Sequence, residues 1–411
     1  MPPNLKIDID RLMNRIRALG QIGALSGGGV CRLALSEEDG AGRDLVTGWM
    51  RELGLAVSID RIGNVWGIRP GSENGPPVML GSHIDTVATG GLYDGNLGVL
   101  AGLEVIETLN DAGLETRLPV AVAFFTNEEG ARFAPDMMGS AVHQGTLSLD
   151  AALATTGIDG TTVADDLAKI GYAGDVEPAT LLPRAFLELH IEQGPVLERE
   201  NIEIGAVTGV QGISWTEYTV SGVSNHAGTT PMDQRCDAGV VAAKAIVAAR
   251  DTALSFGGNQ VATVGALSFE PGLVNVVPRK AVFTVDLRNT DETLLQKAEA
   301  EVAAAIDAAA KAEGASVTSR TLARFEPVIF DDAIVSLIEQ RATERGNSVK
   351  RMPSGAGHDA QMFAPHCPTA MIFVPSRDGL SHNIREYTAP EQIEAGADLL
   401  LDVVLRLANA D

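Results

Sequence analysis

Four short apolar runs set the terms for this chain: "PPVMLGSH" (76–83), "LPVAVAFFT" (118–126), "AFLELHI" (185–191) and "PTAMIFVPS" (368–376). Each is too short for a core helix and too continuous to leave one face in water, as expected of a strand buried on both sides. Helical patterns lie around them, at residues 7–20, in "GNLGVLAGLEVIETLNDAG" (95–113) and in the closing "PEQIEAGADLLLDVVLRLANA" (390–410). Apolar strands separated by helices predict an α/β fold with a mainly parallel sheet covered by helices.

The middle of the chain reads differently. An alternating strand at 213–222 is followed by a helix around 234–254 and strands at 259–269 and 280–289. A long Ala-rich helix at 291–313 and a strand at 315–323 complete the series. This β-α-β-β-α-β order is the ferredoxin-like one. Because α/β signals resume afterwards, residues 213–328 are expected to form an α+β domain inserted into a domain made of 1–212 and 329–411. A length of 411 residues, more than one compact core usually holds, points the same way.

Charge narrows the function. With 31 Lys and Arg against 54 Asp and Glu, the net charge is −23. That disfavours nucleic acid and anionic membranes as partners, and an anionic substrate must be drawn in by a local positive site. The three cysteines, Cys31, Cys236 and Cys367, are scattered and lack CxxC spacing, which argues against a disulfide framework. No stretch reaches the ~20 apolar residues of a membrane span, and the first residues lack an apolar signal core. A soluble, cytoplasmic protein is expected.

The polar residues at the strand ends carry the chemistry. His83 closes one strand with Asp85 two residues on, Glu128 and Glu129 close the next, and His190 closes a third. Asp94 precedes a helix, and His382 follows the last strand. Taken singly, a strand-end histidine is usually a structural hydrogen-bonder, an Asp before a helix a cap, and two adjacent acids a solvated turn. Together they converge, because the carboxyl ends of strands in an open α/β sheet meet at one crevice. Such a mixed nitrogen and oxygen set suits zinc or a similar divalent ion. It also gives adjacent glutamates a use, one as a ligand and the other as a proton shuttle. Spacing alone leaves His358, in "GAGHDA", as an alternative to His382.

The segments "GSHIDTV", "GGLYDGNLGV", "TNEEGARF", "ELHIEQGPVLE", "NHAGTTPM", "PSGAGHDAQ" and "PSRDGLSHN" resemble the di-metal amidohydrolases of the aminoacylase/carboxypeptidase type. Within that group they are similar to the carbamoyl amino acid hydrolases: N-carbamoyl-L-amino acid hydrolase, β-ureidopropionase and allantoate amidohydrolase. The resemblance implies two divalent ions, Zn2+ first, with Mn2+, Co2+ or Ni2+ also suited to the ligands. It makes Asp94 the bridging carboxylate, His83 and His190 ligands of one ion, and Glu129 and His382 ligands of the other. Glu128 would be the general base, and Asp85 would orient His83 through its second ring nitrogen.

For the substrate, a small ureido acid, the resemblance implies a carboxylate contact at Arg288 and polar contacts at Gln193 and Asn275. It adds a backbone N–H at Gly357. Read without it, Arg288 is a surface charge. It further implies a homodimer formed through the inserted lid domain, with His226 polarising the scissile carbonyl in the partner's site; read alone, His226 is a loop histidine before a helix. The expected reaction is hydrolysis of the carbamoyl C–N bond to amino acid, ammonia and carbon dioxide. N-carbamoyl-L-α-amino acids, N-carbamoyl-β-alanine and allantoate stay open as substrates, and an aminoacylase or dipeptidase on the same scaffold is the rival.

Overall fold

In the computed structural model, which describes residues 5–410, the four apolar runs become four parallel strands. They lie side by side in the order Val120–Phe125, Val78–His83, Ala185–Ile191, Thr369–Val374. Every residue in them is buried, so their continuous hydrophobicity reflects cover on both faces.

Antiparallel strands flank this parallel core. Val65–Arg69 and Ala56–Ile59 extend one side, and Ile204–Val210 pairs with Thr369–Val374 on the other. These flanking strands were not legible in the sequence: Ala56–Ile59 is half-exposed, and a turn with Gly63 at φ +83° separates it from its neighbour. The helix Asn96–Asp111 buries residues around most of its circumference, including Leu97, Leu100, Leu103 and Ile106. At about 1.5–3 kcal/mol for each large apolar side chain, it is a core element. The closing helix, Pro390–Asn409, starts with proline in its first turn, where no backbone N–H is needed.

The chain divides into two compact units, Met1–Gly209 with Ile329–Asp411, and Val210–Val328. In the second, the helices Ala238–Phe256 and Glu292–Ala312 and an antiparallel sheet follow the β-α-β-β-α-β order. The four main strands stand in the order Ser316–Phe325, Gly212–Ser221, Lys280–Asn289, Leu267–Glu270. Along Lys280–Asn289, Ala281, Phe283, Val285 and Leu287 are buried while their neighbours are only half-covered. That alternation places the helices on one face.

Two sequence expectations need correction here. The run 259–269 is not one strand but two, Val261–Thr263 and Leu267–Glu270, both paired with Lys280–Asn289. Between them residues 264–266 oppose only residues 284–285. The extra residue is a β-bulge, at a glycine-containing step. The helix expected from 234 starts at Ala238, because Asp237 accepts the N–H groups of Gly239 and Val240 and fixes its first turn. Among the described residues no helix is long and apolar enough to cross a membrane.

Candidate metal centre

Register decides which residues meet. His83 lies opposite Phe125 across one parallel pair, and His190 opposite Phe373 across another. The carboxyl ends of these strands therefore open at the same sheet edge.

Both strand-end histidines are held through the same ring nitrogen. His83 Nδ1 donates to the backbone carbonyl of Asp85 at 2.9 Å, and His190 Nδ1 donates to the carbonyl of Ile191 at 2.9 Å. Each Nε2 is thereby left as the ligating atom. Asp94 sits between them. Its side chain does not cap the helix that follows; the N-cap is Gly95, at φ +65°. A Cβ on Gly95 would lie 2.4 Å from the His83 ring, so only glycine lets the backbone pass.

Asp94 divides its two oxygens. Oδ1 lies 3.2 Å from His190 Nε2 and 3.7 Å from His83 Nε2, while Oδ2 lies 3.3 Å from His382 Nε2. His382 Nε2 is in turn 3.2 Å from Glu129 Oε2. Two donor sets result: His83, Asp94 and His190, then Asp94, Glu129 and His382, with the atoms of each set within 4.8 Å of one another. Glu128 belongs to neither, yet its Oε2 lies 3.3 Å from His83 Nε2. The turn bearing both glutamates is held by Asn127, which is buried at φ +56° and donates through Nδ2 to the carbonyls of Phe133 and Pro135.

The charge balance fits bound cations. Burial, with Asp359, Glu129, Asp94 and Asp85 close by, pushes the Glu128 carboxyl well above its usual range, and burial lifts Asp85 to about 6. Burial likewise opposes charge on Asp94, but His190 and His382 outweigh it and hold Asp94 well below the carboxylate range. Hydrogen bonds to Asp94 and Glu129 raise His382 to about 11. Burial opposes charge on His83 too, yet Asp85, Glu129 and Asp94 carry it to about 9. Carboxylates outnumber cations at this edge, and the histidines hold protons that divalent ions would displace. Glu129 Oε1 is buried without a hydrogen-bond partner. The donor set therefore fits two divalent ions.

One expected role is corrected. Asp85 touches His83 with its main chain, not its carboxylate, whose Oδ1 is 3.9 Å from His83 Nδ1. That carboxylate instead accepts the backbone N–H groups of Glu128 at 3.2 Å and Glu129 at 3.3 Å. His358, the alternative to His382, stands behind His190, with ring centroids 4.6 Å apart and its Nε2 2.8 Å from Ser354 Oγ. Burial first, then the neighbouring His190, pushes its pKa well down, so it is neutral. It also groups with Glu188 and His190, but the Glu188 oxygens already accept from Ser82 Oγ and the Ala360 N–H.

Gln193, at φ +57°, donates through Nε2 to Asp94 Oδ2 at 2.8 Å. Gly357 lies beside Met137, whose terminal methyl would be 3.1 Å from an added Cβ. His226, Asn275 and Arg288 belong to the second unit. His226 is exposed, and its Nδ1 accepts the N–H groups of Gly228 and Thr229 at 3.0 and 3.2 Å. That puts the ring proton on Nε2, as a donor. Asn275 is adjacent, its carbonyl accepting the Ala227 N–H. Arg288 is held by Asp286, with Nε and Nη2 3.0–3.2 Å from the carboxylate, and its guanidinium lies 5.9 Å from the Trp215 ring centroid.

Sequence reasoning missed Asn127, Ser381 and Glu386. Asn127 had a signal, since asparagine just before a strand-end glutamate tolerates a left-handed turn. Ser381 and Glu386 lie in a segment without strand or helix periodicity.

The pattern of Peptidase family M20/M25/M40 matches residues 79–406. The chain is 41% identical over 407 residues to an N-carbamoyl-L-amino-acid amidohydrolase of Rhizobium meliloti, covering 99% of this chain and 98% of that protein. It is 33% identical over 396 residues to an allantoate amidohydrolase of Bacillus subtilis, with 96% of each covered. Its fold matches the crystal structure of an amidase of the hydantoinase/carbamoylase family from Burkholderia multivorans, with TM-score 0.96 and 43% identity over 99% of this chain and all of that one.

Proposed function

From the premise that this chain belongs to peptidase family M20/M25/M40 and is an amidohydrolase of its carbamoylase branch, we propose that it hydrolyses the carbamoyl C–N bond of N-carbamoyl amino acids. The observation that carries this reading is the divided Asp94 carboxylate, with one donor set on each oxygen and Glu128 beside His83 but outside both sets.

His83, Asp94 and His190 would hold one divalent ion, and Asp94, Glu129 and His382 the other. When bound, such ions supply Lewis acidity toward the ureido oxygen and the attacking water. Glu128 takes a proton from that water and returns it to the leaving nitrogen. Water adds to the ureido carbon, the C–N bond to the amino acid breaks, and the carbamate released yields ammonia and carbon dioxide. Arg288 receives the substrate carboxylate through its planar guanidinium, Gln193, Asn275 and the Gly357 N–H supply polar contacts, and His226 donates from Nε2 to the developing oxyanion.

The second unit also serves as the homodimer contact in this proposal. Its helix Ala238–Phe256 and the neighbouring edge strands expose Val247, Leu254, Val261, Leu267 and Phe269, apolar side chains that a second copy would cover. Three unpaired cysteines suit a reducing cytoplasm.

The test is a substrate panel on metal-free and metal-reconstituted protein: N-carbamoyl-L-amino acids, N-carbamoyl-β-alanine, allantoate, an N-acetyl amino acid and a dipeptide. Turnover of the N-carbamoyl acids only after reconstitution is the expected result. Cleavage confined to the acetyl compound or dipeptide would replace the reading with an aminoacylase or peptidase. Preference for allantoate would move it within the same branch, where a relative of that name is 33% identical.

A further inference from the structure

Glu386 is buried to 6% exposure, and it lies in "NIREYT" (383–388), a stretch to which the metal ligands and the proposed substrate contacts give no role. Taking a carboxylate out of water costs several kcal/mol unless its oxygens are well satisfied. Here the partners are two backbone N–H groups and one hydroxyl, none of them charged. Oε1 accepts from Tyr93 N at 3.0 Å and from Asp94 N at 3.1 Å. Oε2 lies 3.0 Å from Ser381 Oγ, and that hydroxyl is also 3.0 Å from Asp94 Oδ2.

The backbone makes room for this side chain. A Cβ on Gly91 would fall 2.0 Å from Glu386 Oε1, so any other residue at 91 would expel the carboxylate from its place. One buried side chain thus grips the main chain of the residue that divides its oxygens between both donor sets. Through Ser381 it also grips the residue immediately before His382. His382 needs such support: its own side chain is 51% exposed and its backbone sits at φ +53°, so little packing fixes its ring.

We infer that Glu386 is a positioning residue for the metal centre, latching the Asp94 loop to the His382 loop so that both donor sets are formed before an ion arrives. The inference rests on the two-ion reading above. Outer partners that orient ligands typically change metal affinity by about 10–100-fold when removed. Glutamine at this position can keep the latch. Its Oε1 accepts the same two N–H groups, its amide donates to Ser381 Oγ, and that hydroxyl donates to Asp94 Oδ2.

The experiment titrates Zn2+ into metal-free full-length protein against a chromophoric chelator, for wild type, Glu386→Ala, Glu386→Gln and Ser381→Ala. Wild type is expected to take two ions. Glu386→Ala should lose about 10–100-fold in affinity, with Glu386→Gln within about threefold of wild type and Ser381→Ala between. Thermal melts of the metal-free proteins accompany the titration. If Glu386→Ala does not fold, Ser381→Ala, which only removes a hydroxyl, carries the test alone. Equal affinities for wild type and both truncations would overturn the latch, as would a Glu386→Gln as weak as Glu386→Ala. Wild type binding fewer than two ions would instead overturn the two-ion reading itself.

Discussion

The carboxylate of Asp85 accepts the backbone N–H of Glu128 at 3.2 Å, while the carbonyl of Asp85 accepts from His83 Nδ1. One residue thus holds a ligand with its main chain and the base-bearing turn with its side chain. The division predicts a separation of effects. Asp85→Asn keeps the carbonyl, so metal content should remain near wild type. Its amide presents N–H toward one of the two glutamate N–H groups, so the turn should shift and kcat fall about 10–100-fold. Elemental analysis beside steady-state kinetics checks this. Loss of metal with retained kcat would mean that the carboxylate orients His83 after all.

Glu128 and Glu129 are adjacent in sequence but face different tasks, since only Glu129 joins a donor set with Asp94 and His382. Glu128→Gln should retain both ions and lose about 10²–10⁴-fold in kcat, the usual scale of general base catalysis. Glu129→Gln should lower the ion stoichiometry instead. The reverse pattern would exchange the two roles.

Arg288 is gripped by Asp286 along Nε and Nη2 and lies beside Trp215. Arg288→Lys keeps the charge but not the planar fork. Loss of a charge-assisted hydrogen bond, about 1.5–3 kcal/mol, corresponds to a KM for carboxylate-bearing substrates raised about 10–100-fold, with ion content unchanged. An unaltered KM would place the substrate carboxylate elsewhere.

His226 carries its ring proton on Nε2, the nitrogen its own loop does not use. If that proton acts in the partner's site, Glu128→Gln and His226→Ala should each be nearly inactive alone. Refolded together, they should regain activity, because one site of each two-fold heterodimer holds both native residues. Differently tagged subunits report heterodimer formation. Heterodimers without activity would exclude action in trans.

His143 offers a pH test away from the donor sets. It is buried against Trp66, Phe125 and Phe363, with Nε2 donating to the Leu181 carbonyl and Nδ1 unpartnered. Burial lowers its pKa below the usual histidine value. The unfolded chain then binds this proton more readily than the folded one. The stabilising share is complete above about pH 6.5 and is lost as the pH falls below it. His143→Gln keeps a donor to Leu181 without titrating. Denaturant midpoints between pH 7 and 5 should therefore fall less steeply for the variant, and parallel curves would contradict the assignment.

Local pattern alone determined a good deal of this protein. Hydrophobic runs such as 120–125 and 185–191 announce doubly covered strands, because burial on both faces leaves no room for polar alternation. The residues at or just past their ends, His83, Glu128, Glu129 and His190, follow directly, since a strand's carboxyl end is fixed once the strand is. Tertiary structure alone decided how these ends are used. Nothing in spacing separates His382 from His358; the fold does, bringing one to Asp94 and Glu129 and setting the other behind His190. The family resemblance presents Asp85 as a partner for His83, but only the paths of two neighbouring strands bring its carboxylate under the glutamate turn. Glu386, with no periodicity to mark it, gains its meaning from a backbone 292 residues earlier. Secondary structure is written in short-range periodicity, whereas hydrogen-bond partners that lie far apart in sequence depend on register and packing.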